Sequence, residues 1–239
     1  MDKLLGLDLE IAQVIPQGAN WRDYRPFGIS VAVTSAEDSD LDRVWVGQGS
    51  LHGNPLPQMP AMQVATLVQY LRGMVDQGYT ICTWNGVGFD FSVLAEESWM
   101  HPECVELAWN HLDPMWHFFC ERGWAVGLNA VATGMQVGSK TPGMDGALAP
   151  VLWAEGEYDR VIKYCIQDVR LTLDVCRAAL ELGGFHYTDK YSRLHTWIAS
   201  SGKLLIAREA AELELPEPPA WISDPWPREH FTGWMRRPR

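Results

Sequence analysis

Long apolar runs are missing from this 239-residue chain, in which no stretch approaches the roughly 20 apolar residues that a membrane span requires. Met1-Asp2-Lys3 leads straight into a short strand-like run without signal-peptide architecture. A soluble, cytoplasmic protein with no membrane partner is expected. Paired cysteines are also missing. The five cysteines, at 82, 104, 120, 165 and 176, are odd in number, include no Cys-x-x-Cys and sit mostly among apolar neighbours. They read as reduced core thiols rather than a disulfide framework. Seven histidines are scattered, and His111 and His117 are six apart, which is not a zinc-helix spacing. Basic charge is scarce: 19 Lys and Arg against 30 Asp and Glu leave a formal charge of -11. That balance argues against a protein that coats long duplex DNA, where phosphate contacts from Lys and Arg dominate affinity. It does not exclude an enzyme that grips only the end of a strand, which needs a local basic rim. Arg22, Arg25 and Lys140 are candidates for that rim, with solvated surface charge as the alternative for each. No internal repeat or long low-complexity run is evident.

What is present is ordinary globular composition, 47% hydrophobic and 21% charged, with length for one sizeable core or one core plus an appendage. Strand patterns cover Lys3 to Leu9, Gly28 to Thr34 and Arg43 to Gln48, a meander with a turn-rich first linker around Pro16-Gln17-Gly18-Ala19-Asn20 and Glu37-Asp38-Ser39-Asp40 as the second turn. Ala61 to Asp76 has a helical apolar face ended by Gly78, and Tyr79 to Trp84 reads as a fourth strand. Strand, helix and strand imply a crossover with parallel pairing, and ligands gather at the carboxyl ends of such strands, where Asp8 and Asn85 fall. From Phe89 the pattern is helical: to about Glu97, then Val105 to Arg122 interrupted near Pro114, a short helix from Leu128, and a long one from Glu157 to Leu182 closed by Gly183-Gly184. The last 25 or so residues, with Leu215-Pro216-Glu217-Pro218-Pro219, three tryptophans (Trp221, Trp226 and Trp234) and the basic Arg236-Arg237-Pro238-Arg239, read as an extended tail that packs through its tryptophans.

Three acidic signatures carry the chemistry: Gly6-Leu7-Asp8-Leu9-Glu10, Asn85-Gly86-Val87-Gly88-Phe89-Asp90 and Tyr164-Cys165-Ile166-Gln167-Asp168. On a strand, Asp8 and Glu10 project to one side while Leu9 faces away. An Asp-x-Glu alone more often marks a strand leaving the core; here it follows the apolar Leu4-Leu5-Gly6-Leu7, where two acids are costly unless compensated. Asp90 opens a helix after a glycine-containing turn, as a plain cap or as an acid favoured by the helix dipole. Gly86 and Gly88 would let a ligand approach the backbone, and Phe89 offers a face for a base. Tyr164 and Asp168 share one face of the long helix, either as a surface hydrogen-bonded pair or as part of a site. Four carboxylates suit two hard divalent cations, Mg²⁺ or Mn²⁺, and two such ions can clamp a scissile phosphate. The Tyr164 phenol, with an ordinary pKa of about 10, suits an orienting role for water better than that of base.

The ordered set Asp-x-Glu, Asn-x-x-x-Phe-Asp and Tyr-x-x-x-Asp resembles the three motifs of the DEDD superfamily of 3′-5′ exonucleases, in its tyrosine-bearing (DEDDy) branch, across residues 3 to 182. The histidine branch would carry His at 163, where this chain has Lys163. Leu128-Asn129-Ala130-Val131-Ala132, Gly138-Ser139-Lys140, Met144-Asp145-Gly146 and Leu152-Trp153 further resemble predicted exonucleases related to the proofreading domain of family B DNA polymerases. The resemblance implies an α/β, RNase H-like fold with a mixed five-stranded sheet flanked by helices. An exonuclease domain over 1–183 would be followed by a C-terminal helical extension and Pro/Trp-rich tail, 184–239, packing on it. Two divalent cations would be held by Asp8, Glu10, Asp90 and Asp168, with Tyr164 beside the attacking water. Leu9, Asn85 and Phe89 would contact the terminal nucleotides. The implied activity is proofreading-type or repair-type hydrolysis at the 3′ end of single-stranded DNA or RNA, releasing nucleoside 5′-monophosphates. DNA is favoured, since nothing after the third motif resembles the RNA-binding extension of RNase D. An RNase D-like exoribonuclease and a retired nucleic-acid-binding module are the alternatives, and a replication or repair partner is open.

Overall fold

The computed structural model describes residues 3–39, 41–49 and 53–236; Asp40 of the second turn and the basic run 237–239 lie outside them. The chain opens as an antiparallel meander, β1 (Lys3–Ile11), β2 (Ile29–Ala36) and β3 (Asp42–Val46). Helix α1 (Ala61–Asp76) then crosses over and returns the chain as β4 (Tyr79–Cys82), parallel to β1. The mixed sheet has the order β3-β2-β1-β4. Strand periodicity decides its two faces. Leu5, Leu7, Leu9 and Ile11 pack with α1 residues Val64, Leu67 and Leu71 and with the helix after β4. The even positions of β1 face the opposite way, toward the long helix near the carboxyl end.

The remaining helices are α2 (Asp90–Ser98), α3 (His101–Trp109), α4 (Pro114–Arg122), α5 (Leu128–Met135), α6 (Ala149–Ala154) and α7 (Tyr158–Leu182). The last of these carries Val161, Cys165 and Val169 as its buried stripe and ends at Gly183, whose φ of 70° is the left-handed conformation glycine adopts without strain. Gly6 decides how near α7 comes to β1: a Cβ there would lie 2.8 Å from Val169 Cγ2 and 2.9 Å from Leu173 Cγ. The absent side chain seats the helix against the strand that bears the first two acids.

Among the described residues the sheet has four strands, not the expected five. Beyond β4 the open edge carries a single parallel bridge, Cys82 to Leu112. Helix α3 ends at Trp109 and α4 starts at Pro114, with the Asp113 carboxylate already capping α4 through Trp116 N–H. Between them only Leu112 pairs with β4, its N–H donating to the Ile81 carbonyl and its carbonyl accepting from Thr83 N–H, before the chain turns into α4. The remaining strands, β5 (Gly184–Thr188) and β6 (Leu194–Ile198), form a separate antiparallel hairpin. Its Phe185 and Trp197 pack with Phe118, Val131 and Ala132.

The last residues are not simply extended. After α8 (Ala207–Ala211) they form α9 (Glu229–Thr232) and one 3₁₀ turn, anchored by buried Phe231 and half-buried Trp234. Trp221 and Trp226 do not serve as buried anchors; they are 70% and 47% exposed. No helix among the described residues is long and apolar enough to cross a membrane.

Candidate active site

Asp8 and Glu10 leave β1 on the α7 side, paired across the ladder with Val33 and Val31. A bulge follows at once, with the register shifting between Glu10 and Ile11. The Ser30 hydroxyl lies 3.0 and 3.1 Å from the carbonyl oxygens of those two residues. Such a bulge ends regular pairing and re-aims the adjacent side chain, here Glu10. From above, α7 supplies Tyr164 and Asp168, one turn apart. Ligand oxygens of Asp8, Glu10 and Asp168 lie within 4.8 Å of one another.

Asp90 is the first residue of α2, and the cap position before it is Phe89, so Asp90 is not serving as a plain helix cap. It stands outside the tight trio but lines the same cavity of about 500 Å³ as Asp8, Glu10, Tyr164 and Asp168. Leu9 and Phe89 also line it; Asn85 does not. Asn85 opens instead onto an adjoining cavity, held in a left-handed backbone with φ 71°. The carboxylate of buried Asp113 fixes that turn by accepting from the backbone N–H groups of Asn85 and Val87, each at 3.1 Å. The direction in which a side chain would point is filled at both glycines of the turn, while the Gly88 backbone itself lines the adjoining cavity. A Cβ on Gly86 would meet Thr83 Oγ1 at 2.1 Å, and one on Gly88 would meet Phe231 Cδ1 at 2.8 Å. The space is taken by the protein's own side chains.

The electrostatics are those of acids crowded out of water. Burial, with the charge of Asp168, raises Asp8 from 3.8 to about 7, against the pull of Lys140 and a Cys165 thiol contact. Burial and the neighbouring acids hold Glu10 well above its ordinary value. Asp90 is raised by burial and Asp8, with backbone N–H groups pulling the other way. The Tyr164 hydroxyl is pushed up by burial and by Glu10, so it stays protonated. These are the shifts that desolvation and like charge produce together, and a bound cation reverses both.

Lys140, one of the three candidate rim residues, lies within the site. Its Nζ is 2.5 Å from Asp168 Oδ2 and 3.4 Å from Tyr164 Oη, while its backbone N–H donates to Asn129 Oδ1. Its pairing with Asp168 is not legible in the sequence, because the contact depends on how the loop between α5 and α6 folds back over α7. Of the other candidate rim residues, Arg25 is engaged with Glu96 and Ser92. Arg22 lies over the Trp21 ring and donates to the His230 carbonyl. Cys165, a plain core thiol in the sequence reading, lies 3.5 Å from both the carbonyl and Oδ2 of Asp8.

Whether a metal fits can be judged from the donors. Asp168 Oδ1 is buried and has no hydrogen-bond partner, a state that costs about 1–3 kcal/mol or more for a charged group. Three converging carboxylates with one ammonium and one orphaned oxygen form an all-oxygen set short of positive charge. That set fits a hard divalent cation.

A family model for the RNase H superfamily matches residues 57–180, just over half the chain, and includes Asp90, Tyr164 and Asp168. The chain belongs to the RNase H superfamily. Members of that superfamily are typically nucleases that use divalent metals, in keeping with the acidic cluster described above. Among solved structures, the family B DNA polymerase from the hyperthermophilic archaeon Pyrobaculum calidifontis is similar to this RNase H-superfamily chain with a TM-score of 0.55 and 15% identity. The likeness covers 76% of this chain and 25% of the polymerase, and at that identity it speaks for the fold alone. Comparison with curated proteins returns no match.

Proposed function

We propose that the protein is a metal-dependent 3′-5′ exonuclease of the tyrosine-bearing type, removing nucleoside 5′-monophosphates from the end of single-stranded nucleic acid, DNA in preference to RNA. The observation that carries this reading is the convergence of Asp8, Glu10 and Asp168 within 4.8 Å, in a cavity that Asp90 and Tyr164 also line. Two divalent ions, Mg²⁺ or Mn²⁺, held by the four carboxylates would lower the pKa of a bound water and offset the charge that builds on the phosphate.

The protein's own groups supply the rest. The Tyr164 hydroxyl, kept protonated, is a donor and acceptor that can orient water without taking its proton permanently. The Lys140 ammonium contributes a fixed positive charge beside Asp168, where an incoming phosphodiester is anionic. Leu9 and Phe89 give the terminal nucleotide apolar and aromatic surface in the same cavity as the acids. The domain reading belongs with this: residues 1–183 carry the activity, and 184–239 pack on them.

Purified protein with Mn²⁺ or Mg²⁺ is expected to shorten a 5′-labelled single strand one nucleotide at a time, and Asp8→Asn to stop it. Failure of a folded, clean preparation to shorten any DNA or RNA oligonucleotide with either metal refutes the reading.

A further inference from the structure

The acid cavity has a neighbour of about 510 Å³, and the two share Trp21, Trp84 and Phe89. Those three rings form the partition between the chambers. The second chamber has a different chemistry: no carboxylate, lysine or arginine is among its lining residues, and Trp226 and His230 join the shared rings around it.

Trp226 and His230 come from the C-terminal segment, some 60 residues after the third acidic signature. Their rings stack at 4.3 Å and 9°, yet Trp226 remains 47% exposed, so an aromatic face is held in place with one side open. The segment is firmly seated. Phe231 lies 4.5 Å from Phe119 and 5.5 Å from Trp116, ring to ring, and Trp234 Nε1 donates to the Val87 carbonyl at 2.8 Å. Arg22, beside Trp21, reaches the His230 carbonyl at 3.3 Å. Gly88 of the Asn-x-x-x-Phe-Asp turn also has its missing side-chain volume filled by Phe231, so that turn and the C-terminal segment fit together.

We propose that this aromatic chamber seats the bases that precede the terminal nucleotide of a single strand, with Trp226 and His230 as its stacking wall. The inference rests on the exonuclease reading. A strand whose last phosphodiester lies over the carboxylates meets Phe89 and Trp84 as it leaves, and beyond them lies surface suited to π-stacking. Stacking accepts any base, because every base has a π-face, so the chamber favours single strands without choosing sequence. A paired base cannot enter without leaving its duplex, which makes flush duplex ends poor ligands. The C-terminal segment is thereby part of the substrate groove.

The test uses full-length Asp8→Asn protein in Mn²⁺, so that no ligand is consumed. Fluorescence anisotropy measures its affinity for fluorescein-labelled (dT)6, and unlabelled thymidine 5′-monophosphate, which needs only the acid chamber, serves as competitor. Replacing Trp226 and His230 together by Ala is expected to weaken (dT)6 by about tenfold or more while the competitor's constant stays put. Trp221→Ala, on the same segment but outside the chamber, should bind as the parent does. Unchanged (dT)6 affinity in the double variant overturns the proposal, as does an equal loss for both ligands, which would mean that the segment only props the acid site. A parent that binds no single strand overturns it too. Tail-dependent binding by a protein whose wild type cleaves nothing would instead contradict the exonuclease reading alone.

Discussion

Replacing Asp8 by Asn should make the metal-free protein more stable at alkaline pH while abolishing its chemistry. The carboxyl of Asp8 is raised from 3.8 to about 7 by burial and by Asp168. Between those pH values the unfolded chain has released this proton and the folded chain still holds it. The folded state therefore binds more protons, and stability falls as pH rises through that window. Above pH 7 the full cost is present, about 3 pH units at 1.36 kcal/mol each, or about 4 kcal/mol. Asparagine has nearly the same shape and no charge to strand, so it escapes the cost. For a protein of this size about 4 kcal/mol corresponds to roughly 8–16 °C in Tm, with the attraction to Lys140 already contained in the raised pKa. Paired melts of wild type and Asp8→Asn in EDTA, from about pH 4.5 to about pH 8.5, read the cost of Asp8 together with the relief its loss gives Glu10 and Asp90, whose carboxyls it helps to raise. The gap should open with rising pH, and Mn²⁺ should narrow it by stabilising the wild type more than the variant, which keeps Glu10, Asp90 and Asp168. An asparagine variant that melts below wild type at pH 8, or a gap indifferent to pH, would refute the claim that Asp8 is a strained carboxylate awaiting a cation.

Three other outcomes follow from the same geometry. Lys140→Met removes the ammonium from beside Asp168, so calorimetry should find tighter Mn²⁺ binding and melting in EDTA should find a lower Tm; weaker metal binding would mean that Lys140 helps to hold the cation rather than compete with it. Gly6→Val places side-chain atoms against Val169 and Leu173, costing about 1–3 kcal/mol by overpacking and lifting α7 from β1, which should lower kcat even at temperatures where the variant is fully folded. Tyr164→Phe removes one hydroxyl without changing the packing, and should cut kcat by about tenfold to hundredfold while leaving the Mn²⁺-induced rise in Tm intact; loss of that rise would make the phenol a metal ligand instead.

The parts of the fold that depend on local pattern could be read from the chain itself. The strand pattern over Lys3 to Leu9, with a two-residue spacing between Asp8 and Glu10, placed those acids together on one side, and Gly78 and Gly183 marked the ends of α1 and α7. The spacing of Tyr164 and Asp168 put them on one helix face. What escaped the sequence depends on contacts between distant segments. The hairpin at 184–198 gains its stability from Phe118 and α5, so its own short strands gave little signal. The fifth strand is reduced to one bridge at Leu112, because Asp113 next to it already caps α4. Lys140 was legible as a rim candidate, but its pairing with Asp168 was not, since it depends on a loop folding over α7. Gly86 and Gly88 read alike in the sequence, yet Thr83 takes the space beside Gly86 whereas Gly88, packed on Phe231, also lines the adjoining cavity. Trp226 and Trp234 are alike in sequence, yet Trp234 finds the Val87 carbonyl and Trp226 keeps an open face.

The most direct measurement is the identity of the first product released from a single-stranded DNA oligonucleotide in Mn²⁺. Nucleoside 5′-monophosphates leaving one at a time from the 3′ end, and ceasing on chelation or in Asp8→Asn, are the predicted result. Internal fragments, products bearing 3′-phosphates, or an intact strand after prolonged incubation would contradict the account.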